Sequence, residues 1–308
     1  MEMTDNKEIL LIHLGGLGDM CISESTFFSL YLHFGNDMVA LGYTRFLRLF
    51  EGYFKRIERI ESAKWLPLFS QYTPDIAWKR IVFIGNDREG ALREKWGRMS
   101  KEPMIFIKMY PEDQGSRIKE QGSGFNGFAI RNVPPLSGLN LTQSAMKCHV
   151  EDFQLMQLGQ YGIEAVKKEI EANLARRVIL YPEKGFKKEK WHYDNFIDLY
   201  KSLKSKGVDV CILKSMGLET GMEEAAFFEE LIDVRGFFKP GGILLSNDSG
   251  MAHLAGMCGL FTITIFKDFD PDVWHPRGRG TWLQAGKDII DVSSIESRIM
   301  EAYRRAKP

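Results

Sequence analysis

The strongest constraint on this chain is the stretch 8–34, EILLIHLGGLGDMCISESTFFSLYLHF, in which an apolar run gives way to glycines and then to a helical period. Residues 9–14, interrupted only by His13, have the continuous hydrophobicity of a strand buried on both faces of a parallel sheet. Gly15, Gly16 and Gly18 then form a loop, after which Phe27, Leu30, Tyr31 and Phe34 fall at i, i+3, i+4, i+7, and Gly35 stands where a helix ends. Strand, glycine loop and helix in this order predict an open α/β sheet, with ligands at the carboxyl ends of its strands. Asp19 stands on that rim. A carboxylate there works against simple phosphate binding, and Gly15-Gly16-Leu17-Gly18-Asp19 matches neither the dinucleotide fingerprint nor the P-loop. It suits proton abstraction or hydroxyl binding, or else it caps the helix that follows.

The α/β alternation continues along the chain. Further strands are expected at 38–41, 56–60, 81–84 and 104–107, with helices at 45–54 and 89–99. The stretch 110–144 dissolves into Gly, Ser, Asn and Pro and reads as a long loop, either beside the ligand cleft or plain surface. A helix at 149–161 and a polar linker precede a second series: strands at 177–181, 208–213, 243–245 and 261–266, and helices carrying Phe196 to Leu203, at 222–231 and at 251–258. An irregular stretch, 267–280, and a last helix, 293–305, complete the chain. At 308 residues, two domains of ordinary size are expected, divided as 1–172 and 173–308.

Composition narrows the partners. Lys plus Arg equals Asp plus Glu at 41 each, so there is no general electrostatic case for nucleic acid. The four cysteines are scattered without C-x-x-C, and no cluster has the spacing of a metal site. The acidic N-terminus and the short apolar run after it fit neither a signal peptide nor a membrane span, so a cytoplasmic protein is expected.

The second chemical feature is Ser246-Asn247-Asp248-Ser249-Gly250. Asn247 and Asp248 are good helix caps, and Ser249 and Gly250 are expected to leave unpaired N–H groups at a first turn, with His253 one turn on. Such a turn can hold a pyrophosphate, while Asp248 accepts sugar hydroxyls. As a bare motif, it reads first as a capped helix with a core histidine.

ILLIHLGGLGD, YPEKGFKKEKW, LLSNDSGMAHLAG and FKDFDPDVWHP, in this order and separation, resemble the family 9 glycosyltransferases, whose best-known members are lipopolysaccharide heptosyltransferases. The resemblance covers nearly the whole chain. It implies a GT-B-type architecture: two Rossmann-like domains facing across a cleft, acceptor on the first, donor on the second, and a C-terminal helix returning to the first. It implies an inverting, metal-independent transfer of a sugar, heptose from ADP-heptose, to a lipopolysaccharide-core or related glycan. Asp19 is then the general base beside the glycine loop Gly15, Gly16 and Gly18, and Asp248, Ser249, Gly250, Met251 and His253 contact the donor. Lys188 or Lys190 meets the phosphates, flanking Glu189 where the family usually has lysine. No cofactor is implied beyond the nucleotide-sugar substrate, and a glycolipid acceptor brings the protein transiently to the inner membrane surface. The rival readings are a nucleotide-sugar-binding protein without catalysis and another GT-B-like enzyme such as a sugar-nucleotide epimerase.

Overall fold

The computed structural model describes residues 7–70, 78–87, 89–111, 148–182, 191–214 and 225–306. In the first half run β1 (Ile9–His13), α1 (Leu17–Ile22), α2 (Glu24–Phe34), β2 (Met38–Gly42), α3 (Thr44–Leu47), β3 (Arg56–Arg59), α4 (Leu66–Phe69), β4 (Arg80–Gly85), α5 (Ala91–Gly97) and β5 (Ile105–Lys108). The five strands make one parallel sheet in the order β3-β2-β1-β4-β5. β1 lies at its centre, which explains its unbroken apolar run. Ile9 and Leu11 enter one core with Phe27 and Leu30, and Leu10 and Ile12 enter the opposite core with Trp65, Trp78 and Trp96.

α6 (Val150–Met156) packs on α2, and the chain then passes to the second half. The crossing lies between Lys168, whose N–H donates to Ser25 Oγ, and Asn173, whose N–H donates to the Gly259 carbonyl. There follow β6 (Val178–Tyr181), α7 (Tyr193–Ser205), β7 (Val210–Leu213), β8 (Ala225–Ala226), α8 (Leu231–Phe238), β9 (Ile243–Asn247), α9 (Gly250–Met257), β10 (Phe261–Phe266), α10 (Pro271–Trp274), β11 (Gly280–Gln284) and α11 (Val292–Arg305). This sheet is also parallel, in the order β11-β10-β9-β6-β7-β8.

Several expectations are corrected. The helix expected at 45–54 is one α-turn followed by a 3₁₀ segment, Arg48–Tyr53, with Phe50 off the helical region at φ −121°. That at 149–161 likewise changes to 3₁₀ at Leu158–Tyr161. The helix expected at 222–231 is displaced: Ala225–Ala226 form an edge strand and the helix begins at Leu231, burying Leu231, Val234 and Phe238. The last helix does not return to the first half. Ile295, Ile299 and Ala302 of α11 enter the second-half core with Phe196, Leu199 and Leu203 of α7.

The halves are joined by apolar packing. One cluster runs from the β1 face of the first sheet through Met20 and Cys21 of α1 to Leu254 and Ala255 of α9 and Leu244 of β9. The absence of side chains at Gly18 and Gly250 permits this approach, since a Cβ on Gly250 would lie 2.9 Å from Leu17 Cβ and 3.2 Å from Gly18 N. Gly250→Ala is therefore expected to destabilise the fold by about 1–3 kcal/mol, the usual range for overpacking. A lower urea midpoint at unchanged slope checks this, and an unchanged midpoint would show that α1 and α9 part freely.

Candidate active site

Each sheet reverses its strand order once, between β1 and β4 in the first and between β6 and β9 in the second. Open parallel sheets bind ligands outside the carboxyl ends of the strands at such points. The two candidate loops sit there, after β1 and after β9.

In the first loop, Gly16 is the residue before α1, and Asp19, the third residue of the helix, reaches back to accept its N–H at 2.8 Å. The capping reading of Asp19 is thus correct for one carboxylate oxygen, Oδ2. The other, Oδ1, accepts the Tyr110 hydroxyl at 2.5 Å. Burial pushes the Asp19 carboxyl above its ordinary value, and the bonds from Tyr110 and Gly16 pull only partly the other way. The residue keeps some solvent exposure. Gly15 is required beside it, because a Cβ there would stand 2.6 Å from Asp19 Cβ and 2.8 Å from the His13 ring.

Sequence reasoning left His13, Ser23 and Tyr110 without a role. His13 is fully buried, and desolvation lowers its pKa to about 3, so it is neutral. The Gly15 N–H donates to its Nδ1 at 3.2 Å, which leaves the proton on Nε2 to donate to Ser23 Oγ at 3.1 Å. Ser23 Oγ–H donates in turn to the Asp19 carbonyl at 2.8 Å. This relay ties the strand end, the glycine loop and the break between α1 and α2 into one unit. The only signal for it was the single polar residue in the β1 run.

In the second loop the cap is Ser249, not Asn247 or Asp248. Its Oγ accepts the Ala252 N–H at 3.4 Å, and Gly250 and Met251 form the first turn of α9. Asn247 is buried and accepts the Trp191 N–H at 3.0 Å, fixing the point where the chain re-enters after segment 183–190. The Asp248 N–H donates to the Ile265 carbonyl at 2.9 Å, and its side chain is part-exposed at the carboxyl end of β9. His253 is buried at the junction of the halves, where a Cβ on Gly18 would lie 3.0 Å from its ring. The structure therefore brings the Gly15–Asp19 loop against the start of α9. Lys188 and Lys190, and residues 112–144 of the expected long loop, lie outside the described residues.

Around this junction, Arg277 from the second half enters the first. It pairs with Glu24 and, at 2.6 Å through Nε, with Glu151, and donates to Ser25 Oγ at 3.0 Å and to the Lys168 carbonyl at 2.7 Å. Beside it, the His149 and His275 rings stack at 4.2 Å. Among the described residues no three His, Cys, Asp or Glu side chains are grouped as metal ligands, and no helix is long and apolar enough to cross a membrane.

No protein-family model and no curated protein sequence matches this chain. Among solved structures it is similar to a family 9 glycosyl transferase from Veillonella parvula, at 11% identity over 99% of this chain and 98% of that one, with a TM-score of 0.61. It is similar to the E. coli heptosyltransferase WaaC with ADP, at 11% identity over 96% and 99% of the chains and a TM-score of 0.64. It is similar also to the E. coli ADP-heptose lps heptosyltransferase II, at 13% identity over 97% and 99% and a TM-score of 0.59. At such identities the likeness is one of fold, and the fold is the two-sheet GT-B type that the motifs imply.

Proposed function

We propose that this chain is an inverting, metal-independent glycosyltransferase, with residues 1–172 holding a glycan or glycolipid acceptor and residues 173–308 a nucleotide-sugar donor. The donor class is a nucleoside-diphosphate sugar, ADP-heptose in the first instance, because the E. coli heptosyltransferase WaaC of similar fold holds ADP and the other E. coli enzyme of similar fold is an ADP-heptose heptosyltransferase. The acceptor is a lipopolysaccharide-core or related glycan.

The observation that carries the reading is a carboxyl held by two hydrogen bonds, and pushed up by burial, in a loop packed against the first turn of α9. Asp19 takes the proton of the acceptor hydroxyl as its oxygen attacks the anomeric carbon from the face opposite the leaving group. The bond from that carbon to the diphosphate breaks, and its electron pair departs on the phosphate oxygen. The leaving anion is received by the Gly250 and Met251 N–H groups, with Lys188 or Lys190 supplying charge, and Asp248 orients the sugar.

A thermal-shift comparison of nucleoside diphosphates, monophosphates and nucleotide sugars tests the donor half. ADP or another nucleoside diphosphate at 100 times its dissociation constant is expected to stabilise the protein by about 2.7 kcal/mol. The monophosphate is expected to stabilise it less. No shift with any nucleotide would refute the donor site, whatever the likeness of fold.

A further inference from the structure

We propose that Tyr110 is the positioning residue of Asp19, and that Trp274 of the second half braces it. The proposal rests on the reading of Asp19 as a base and adds how that base is kept ionised and aimed. Tyr110 follows β5, 91 residues from Asp19, and its hydroxyl donates to Oδ1 at 2.5 Å. Its ring packs on Trp274 of α10 with centroids 4.7 Å apart, in a small cluster with Ile22 of α1, Val150 of α6 and Val273 of α10. Trp274 also packs against Phe269, with ring centroids 5.5 Å apart. The hydroxyl is therefore fixed by residues from both halves.

Two donors on two different oxygens set the plane of the carboxylate, and each oxygen keeps a second lone pair for the incoming hydroxyl proton. A hydrogen bond to the charged form favours ionisation, whereas burial favours the neutral acid. Tyr110 thus opposes the desolvation of Asp19. Burial and the nearby Asp19 charge push the Tyr110 hydroxyl's own ionisation upward, so it remains a donor throughout the working range. Among the described residues the other titratable groups around Asp19 are neutral His13 from β1, Cys21 two residues further along α1, and His253 from α9, beside Gly18.

The sign follows directly. Without the Tyr110 hydroxyl the opposing effect is lost, so Asp19 titrates at higher pH and the acidic limb of kcat/KM moves with it. Tyr110→Phe keeps the ring in its cluster, and its melting curve confirms folding. The test is carboxyl ¹³C NMR titration of Asp19, identified by its absence in Asp19→Asn, in the wild type, Tyr110→Phe and Trp274→Leu. Expected are an upward move in Tyr110→Phe, a smaller one in Trp274→Leu, unchanged ADP binding, and a fall in kcat of up to about 10²-fold, as for a misplaced catalytic group. A titration unchanged in Tyr110→Phe overturns the proposal whatever the activity. A titration that moves while the rate profile stays put upholds the Tyr110–Asp19 coupling and removes Asp19 as the base.

Discussion

Asp19→Asn is expected to reduce transfer by about 10²–10⁴-fold, the contribution of a positioned general base, while the melting temperature holds or rises. Asparagine preserves the local geometry: its Oδ1 still accepts the Gly16 N–H, and its Nδ2 donates to the Tyr110 hydroxyl, which turns from donor to acceptor. What disappears is the proton-accepting charge. The stability effect follows from the raised pKa. A carboxyl whose folded pKa lies above its unfolded value favours the fold below the unfolded pKa, and that contribution is lost as pH rises through the folded one. Once ionised, as pH rises through the folded pKa, Asp19 therefore opposes folding relative to a neutral isostere, and the difference vanishes in acid. Turnover within a few-fold of the wild type would remove Asp19 as the base. A collapsed melting temperature would make it a structural cap alone.

Arg277→Met is expected to destabilise the protein by about 3–5 kcal/mol, because removing one partner of a buried ion network leaves its charges uncompensated. Arg277 is 4% exposed and faces Glu24 of α2 and Glu151 of α6, both in the first half, while Lys167 reaches only the far oxygen of Glu151, at 3.3 Å. The loss corresponds to a fall in melting temperature of roughly 10 °C in a chain of this size. Adding Glu24→Gln and Glu151→Gln to the same variant should recover most of it, since a neutral network of similar volume is nearly as stable as the ionic one. Calorimetry of the single and triple variants checks both statements. An unchanged melting temperature in the single variant would mean that the halves do not depend on this clamp.

The central strands could be read in the sequence because burial on both faces leaves an unmistakable apolar run, as in β1, β4, β9 and β10. The edge strands of the second sheet could not, unlike β3 and β5 at the edges of the first. β11 is half-buried and reads GTWLQ, and β8 is two alanines, so neither carries a period. α8 was misplaced because Gly236 and the glycines after Phe238 look like breakers, although Leu231, Val234 and Phe238 form a helical stripe. The C-terminal helix was assigned to the first half by resemblance, but its own apolar stripe fits α7. In the site, Asp19 and the Asp248 to His253 turn were visible as local motifs. Tyr110 and Arg277 were not, because their partners lie 91 and 253 residues away and only the tertiary fold brings them together.

The most direct test of the account is a transfer assay with ADP-heptose and a heptose-deficient lipopolysaccharide core, run in EDTA, with ADP release and product formation followed together. The account predicts that the wild type forms one glycosidic product, of inverted anomeric configuration, for each ADP released, and that Asp19→Asn binds ADP as tightly but forms product about 10²–10⁴-fold more slowly. Donor binding without transfer to this or any other sugar acceptor, or product of retained configuration, would contradict it.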